Sequence, residues 1–309
     1  MKNMNSLALS ALLTASCSLF LSNLALADTK MAITIDDLPV HGEITPGTTR
    51  TEIAKSMIAV LKRHGVSEAY GFINGLSIDN EQENLNVLST WVDAGFPLGN
   101  HTFSHVDLAK MSAKDFITDL EKNEPILKQY SQAMDYHFFR FPYLSEGDTL
   151  DKRNQIRKYF NKKRYKVAEV TVDFQDYEWN DPYVRCEKSG NRDQINWLKQ
   201  SYVDQALDRL NFARVLGNNI YGRDINQVLL LHIGQFDSIM LDDVLTAYEN
   251  KGVTFVSLSE ALSDQAYQVD TGYVAKDGTT FLDQIAGKKE VVYPPFNETP
   301  EANLQTLCL

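Results

Sequence analysis

Val228-Leu229-Leu230-Leu231-His232-Ile233 is almost wholly aliphatic and carries a histidine near its end. An unbroken apolar run of this length suits a strand covered on both faces, because alternation arises only where one face meets water. Six other short runs share this character: Ala32–Asp36, Ala69–Asn74, Pro97–Asn100, His137–Phe141, Lys166–Val172 and Val253–Leu258. Helical stretches lie between them. Thr49–His64 sets Ile53, Met57, Val60 and Leu61 at helical spacing, and Leu85–Ala94 sets Leu85, Leu88, Trp91 and Val92 on one face. Ser112 is placed to cap a helix through Phe116, Leu120 and Leu127. The charged segment Leu150–Lys163 and the amphipathic stretches Ile195–Leu216 and Ile239–Tyr248 follow. Strands separated by helices predict an α/β fold with a parallel sheet. Asp36, Asn100, Arg140, Asp173 and His232 all fall at or just past the C-terminal ends of different strands. A barrel brings all those ends to one site, whereas an open sheet draws on the few strands near its switch point. The pattern therefore predicts a seven-stranded (β/α) barrel in a single domain.

Residues 1–27 read as an export signal: Lys2, a largely apolar Leu7–Leu21, and Ala25-Leu26-Ala27 as a small-x-small cleavage site. Residues 28–262 are expected to form the barrel and 263–309 a C-terminal extension packed on it. Taking Lys2 from the 30 basic residues leaves 29 against 41 acidic ones, a formal charge of −12. That acidity disfavours nucleic acid and anionic membrane as partners. No other long apolar run is present, so stable membrane insertion after signal cleavage is not expected, and the product belongs in the periplasm or outside the cell. Cys186 and Cys308 are the cysteines outside the signal. In an exported protein they can form one bridge, or remain two buried thiols; spacing does not decide between them.

The chemistry rests on a dispersed set of acids and histidines. Thr34-Ile35-Asp36-Asp37 ends the first strand. Neighbours on a strand point to opposite sides, so both acids reach one site only if the chain bends there. His101 and His105 are four apart, and on a helical turn their Cβ atoms would lie about 5–6 Å apart, close enough to chelate one metal. Arg140, flanked by Phe139 and Phe141, requires a carboxylate partner at its strand end. Asp173 and Asp176 are each able to hold Arg140 or to orient a histidine. His232 is a core histidine or, opposite a metal site, a proton donor. Tyr177, Trp179 and Tyr183 form an aromatic segment, read either as a sugar-stacking subsite or as buried anchors. His41 is placed at the surface near the mouth, and His64 and His137 carry no functional signal.

Taken in order along the chain, the segments Thr34-Ile35-Asp36-Asp37, His101-Thr102-x-x-His105, Arg140-x-Pro142-Tyr143, Asp173-x-x-Asp176 and Leu230-x-His232 resemble those of a polysaccharide deacetylase of carbohydrate esterase family 4. The resemblance implies a distorted seven-stranded (β/α) barrel. It implies Asp36 as general base, Asp37, His101 and His105 as metal ligands, and Arg140 as the group fixing the base. The Tyr143 backbone N–H, after Pro142, would stabilise the oxyanion. His232 would be the general acid, oriented by Asp173 or Asp176. Pro142, Tyr143, Tyr177, Trp179 and Leu230 are then the expected substrate contacts. Zinc suits one carboxylate and two imidazoles, and cobalt or nickel also fits. The implied function is an exported, metal-dependent hydrolase of C–N bonds other than peptide bonds, removing acetyl groups from N-acetylated sugar polymers or oligosaccharides. An O-acetyl esterase on xylan-like polysaccharide, a hydrolase of a non-sugar amide, and a non-catalytic carbohydrate-binding protein are the alternatives. The chain departs from the family pattern at Leu38, where glycine commonly stands and a leucine would crowd the substrate loop. It departs again at Tyr177, where tryptophan is frequent, and at Ile233, where an acid would partner the histidine.

Overall fold

The structure is a computed structural model of the 309-residue chain and describes residues 29–78, 81–131, 134–289 and 291–309. The expected signal, 1–27, lies outside the described residues. The strands are β1 (Thr29–Leu38), β2 (Ala69–Ile73), β3 (Leu98–Asn100), β4 (Phe138–Phe139), β5 (Lys166–Val167), β6 (Gln227–His232) and β7 (Val253–Phe255). They form one parallel seven-stranded sheet in the order β5-β4-β3-β2-β1-β6, with β7 paired to the first residues of β1. The sheet curls towards closure through the run Lys166–Val172, which is read as one strand in the sequence but divides its pairing. Its first residues pair with β4, whereas Val172 bridges Leu229 of β6, with Leu230 N–H donating to the Val172 carbonyl at 3.0 Å. The result is the distorted (β/α) barrel.

The helices are α1 (Arg50–Arg63), α2 (Gln82–Asp93), α3 (Ala113–Tyr130), α4 (Leu150–Lys163), α5 (Asn180–Ser189), α6 (Arg192–Tyr221), α7 (Gln235–Glu249), α8 (Leu258–Ala261), α9 (Phe281–Lys289) and α10 (Glu301–Thr306). Their starts follow local chemistry. Thr49 and Glu52 form a reciprocal capping box on α1, and the Ser112 hydroxyl accepts from Asp115 N–H at the head of α3. The segment around Tyr183 is helix α5, with Pro182 in its first turn and Gly190 ending it at φ +67°. Among the described residues no helix is long and apolar enough to cross a membrane.

Two apolar layers follow from strand alternation. Met31, Ile33 and Ile35 of β1, with Leu229 and Leu231 of β6, pack outward against the helices. Ala32 and Val228 face inward with Tyr70, Phe72 and Phe138. The same inward rows continue to Asp36 and to Leu230 and His232, which line a cleft at the C-terminal mouth.

Residues after α8 are tied back to this frame. Arg185 of α5 donates to the carbonyls of Leu304 and Leu307, and Gln205 of α6 donates to that of Asn297. Cys186 and Cys308 form a disulfide, across 122 residues of sequence. A cross-link over so long a loop mainly constrains the unfolded chain. Cys308→Ser is therefore expected to lower the stability of the oxidised protein by about 2–5 kcal/mol, measured by denaturant unfolding without reductant. An unchanged midpoint would show that the tail is held by its hydrogen bonds alone.

Candidate metal centre and active-site cleft

Asp37 has φ +64°, a left-handed conformation that breaks the alternation of β1, and the β1–β2 register shifts between Ile35 and Leu38. This is the bend that lets both acids face the cleft. It also decides where Leu38 goes. Leu38 is fully buried against Gly71 in the outward core and does not line the cleft, so the expected crowding of the substrate loop does not occur.

His101 and His105 do not sit on a helical turn. They belong to a loop after β3 in which Thr102 and His105 have φ of +62° and +51°. Asn74, Asn100 and Asn123 hold that loop through its backbone. Asn74 and Asn123 side-chain amides donate to the Thr102 carbonyl, and Asn100 accepts from Thr102 N–H. The loop brings both imidazoles to Asp37: His101 Nε2 lies 3.6 Å and His105 Nε2 3.5 Å from Asp37 Oδ1. All three ligand atoms lie within 4.8 Å of one another.

Several features suit this trio to holding a cation. His101 Nδ1 is 2.8 Å from the Arg140 carbonyl, so Nδ1 carries the proton and Nε2 presents a lone pair to Asp37. Burial pushes both imidazoles down to about 4, against the pull of Asp37, so both are neutral and able to ligate at pH 7. Burial also opposes ionisation of Asp37, but a hydrogen bond from His41 and the nearby His232, His101 and His105 hold its carboxyl well below the usual range. Asp37 Oδ1 is buried without a hydrogen-bond partner among the described residues. A buried carboxylate oxygen lacking a donor is costly, and a cation between it and the two Nε2 atoms would satisfy it.

Asp36 sits beside the trio, with Oδ2 at 3.6 Å from His101 Nε2. Arg140 locks it. The guanidinium approaches Asp36 Oδ2 at 3.2 Å and donates to the Ala168 carbonyl at 2.8 Å and to Thr34 Oγ1 at 2.9 Å. Burial raises the Asp36 carboxyl to about 6, with Arg140 and His232 opposing the rise. Arg140 and Asp36 are both nearly inaccessible, so removing either would strand a buried charge.

His232 is the register partner of Asp36 on the adjacent strand, so the two side chains emerge on the same face. The alternatives left by the sequence are resolved here. Asp176, not Asp173, orients the histidine: Asp176 Oδ1 is 2.9 Å from His232 Nδ1, and Oδ2 accepts from His232 N–H at 2.6 Å. This removes the need for an acid at Ile233. Asp173 accepts from Gln175 N–H and lines the cleft, its carboxyl raised by burial. Burial lowers the affinity of His232 for its proton, but Asp176, with Asp37 and Asp36, raises it to about 10. A histidine raised above its unfolded value of about 6.5 contributes stability that is complete at pH 6 and lost as pH climbs through 10. The stability difference between wild type and Asp176→Asn is therefore expected to shrink between pH 6 and pH 10. A constant difference across that range would remove the ion pair as its cause.

Tyr143, Tyr177 and Leu230 line the cleft, which measures about 610 Å³. Tyr143 has φ +57° and sits edge-on to His105, with ring centroids 4.6 Å apart. Tyr177 meets His232 edge-on at 5.3 Å. Pro142 is buried beneath Tyr143 at the start of its turn and does not line the cleft. Trp179 is not a substrate contact. It is fully buried, packs on Tyr202, and donates its indole N–H to Ser201, as a core anchor does. Tyr183 is likewise packed, on Phe236.

Other residues complete the cleft. His41 and Arg209 line it, and so do Asp277, Gly278, Thr279, Thr280 and Asp283 of the C-terminal extension. A Cβ at Gly278 would collide with the Tyr143 carbonyl, so glycine is what lets the extension close against this wall. Behind His232, the Tyr202 hydroxyl donates to buried Asp237 at 2.6 Å, next to Asp176.

Residues 25–177 match the family model for polysaccharide deacetylase. A chitin deacetylase from Arthroderma benhamiae is 24% identical over 152 residues, covering 49% of this chain and 36% of the relative. A peptidoglycan-N-acetylglucosamine deacetylase from Bacillus cereus is 26% identical over 236 residues, covering 74% of this chain and 66% of the relative. The chain thus spans about a third of the first curated relative and just under two thirds of the second. Among solved structures, a mutant of a Bacillus anthracis CE4 family pseudoenzyme with restored enzymatic activity superposes with a TM-score of 0.54 at 18% identity, covering 77% of this chain and 69% of that one. The family match contains Asp36, Asp37, His101, His105, Arg140 and Asp176, while His232 lies beyond it and is delivered to the same cleft by β6. The matched segment makes residues 25–177 a polysaccharide deacetylase domain, and the curled barrel is the fold shared with the carbohydrate esterase family 4 structure.

Proposed function

We propose that this chain is an exported, metal-dependent hydrolase that removes acetyl groups from N-acetylated sugar polymers or oligosaccharides. The observation that carries the reading is the convergence of Asp36, Asp37, His101, His105 and His232 on one cleft, with Arg140 and Asp176 holding the two proton-transfer groups from behind. Asp37, His101 and His105 would hold the ion, with zinc, cobalt or nickel suiting the donor set. The bound ion would polarise the acetyl carbonyl and acidify water.

The residues of the chain supply the rest. Asp36 takes the proton from the attacking water, its carboxylate aimed by Arg140 and Thr34. The Tyr143 backbone N–H would stabilise the developing oxyanion. His232, protonated and gripped by Asp176, gives its proton to the departing amine, which cannot leave as an anion near neutral pH. Tyr177 and Leu230 line the position of the acetyl methyl, and Tyr143 offers a face for sugar stacking. Residues 28–262 would be the catalytic barrel and 263–309 an extension that finishes one wall.

The two curated relatives are named for chitin and for peptidoglycan N-acetylglucosamine, which favours N-acetyl over O-acetyl linkage. A binding-only role, which the pseudoenzyme neighbour raises, is opposed by the presence of base, ligand trio and acid together. The deciding experiment measures acetate release from chitooligosaccharides, peptidoglycan and acetylated xylan, with small amides alongside. Release from the N-acetylated glycans is expected. Glycan binding without acetate from any substrate would support the binding-only role instead, and turnover confined to small amides would move the function off sugars.

A further inference from the structure

We propose that His41 is a positioning residue of the metal centre, holding one oxygen of Asp37 so that the other is presented to the cation. The proposal rests on the metal reading above and goes beyond the ligand trio. His41 Nδ1 lies 3.1 Å from Asp37 Oδ2. An ionised carboxylate only accepts, so Nδ1 carries the proton and donates. The other oxygen, Oδ1, is the one within 3.6 Å of both imidazole Nε2 atoms, and it is buried with no hydrogen-bond donor of its own among the described residues. The two oxygens are thus divided: one occupied by an imidazole N–H, one left bare toward the cluster.

The backbone is built to make this contact. Val40 N–H donates to the Asp37 carbonyl at 2.9 Å, folding the chain into a tight turn after the left-handed Asp37. Arg50, in the first turn of α1, reaches back to the carbonyls of His41 at 2.7 Å and Gly42 at 2.6 Å. Gly42, at φ +58°, passes against the Asn180 side chain where a Cβ would collide. Inside the cleft the His41 ring lies 4.7 Å from the His232 ring and 6.3 Å from that of Tyr177, which limits its swing. A free aspartate rotates about its terminal torsion and offers either oxygen, or both. A donor fixed on Oδ2 removes those alternatives before the cation arrives, as groups hydrogen-bonded to metal-ligating side chains commonly do.

The test is zinc affinity rather than turnover. Metal-stripped wild type, His41→Ala, His41→Phe and His41→Asn are titrated with zinc against a chromogenic chelator, and each apo form is melted. His41→Ala and His41→Phe are expected to bind zinc about 10–100-fold more weakly, with apo melting temperatures near wild type. His41→Asn places an amide N–H where Nδ1 stood, and its affinity is expected to return close to wild type. Phenylalanine fills the ring's volume without a donor, so it separates the hydrogen bond from packing. Wild-type affinity in His41→Ala and His41→Phe would overturn the proposal, as would His41→Asn binding no better than His41→Ala. A wild type that takes up no zinc, by contrast, would sink the metal centre itself and His41's role with it.

Discussion

Asp36→Asn is expected to keep its metal and lose turnover by about 10²–10⁴-fold, the usual contribution of a positioned general base. The expectation separates two neighbouring acids by what each touches. Asp36 is engaged by the Arg140 guanidinium and is not part of the Asp37–His101–His105 cluster, although His101 Nε2 is only 3.6 Å away. The amide keeps the shape of the carboxylate and an oxygen for Arg140, so the barrel interior should survive. Asp36→Ala is the harsher variant: it leaves a fully buried guanidinium with only the Ala168 carbonyl and the Thr34 hydroxyl, and breaking such a pair typically costs about 3–5 kcal/mol. Acetate release, bound metal and melting temperature measured on both variants distinguish these effects. Full activity in Asp36→Asn would remove Asp36 as the base, and loss of metal would place it among the ligands.

Asp37→Ala and His105→Ala are expected to strip the metal and abolish activity together. Each removes one of three donor atoms from a site with no fourth protein ligand among the described residues. The loss of affinity should exceed the roughly 10–100-fold typical when only a group behind a ligand is changed, which ranks these variants below His41→Ala. His105 is the cleaner of the two. It is partly exposed at the cleft, so its removal leaves little buried void, whereas the Asp37 side chain also accepts from His41. Metal content of the purified proteins is the readout. Wild-type content in both variants would overturn the ligand assignment, whatever the activity.

Much of the fold was legible because its signals are local. The aliphatic β6, the helical spacing of Ile53, Met57, Val60 and Leu61, and the Ser112 cap each declare themselves within a few residues. Strand ends marked by polar residues were also readable, and they gave Asp36, Arg140 and His232 their common location. Other features depend on partners far along the chain. Nothing in Asp36-Asp37 announces that the second acid adopts φ +64°, a bend that goes with Leu38 packing outward against Gly71, more than thirty residues on. The choice of Asp176 over Asp173 turns on a one-turn 3₁₀ helix, Asp176–Trp179, that buries Asp176 behind β6 and leaves Asp173 at the cleft. Trp179 misled because an aromatic residue reads the same from sequence in a core and at a sugar face. His41 stands four residues after Asp37, a spacing that could have flagged it, yet its contact requires a turn the composition does not signal. The wall from Asp277 to Asp283 had no signal at all, being a meeting of two segments more than 130 residues apart.

The position of β1 has a bearing on how the molecule is assembled. β1 is flanked by β2 on one side of the strand order and by β6 on the other, and its opening residues pair with β7. Half of its hydrogen-bonding edge therefore waits for residues 227–255, the last strands to leave the ribosome. A fragment ending at residue 177, where the family-model match ends, would carry a long, apolar, uncapped ribbon and would be prone to self-association rather than to independent folding. Pairing β1 on both sides needs the sheet from β1 through β7, and this non-local wiring argues for slow maturation.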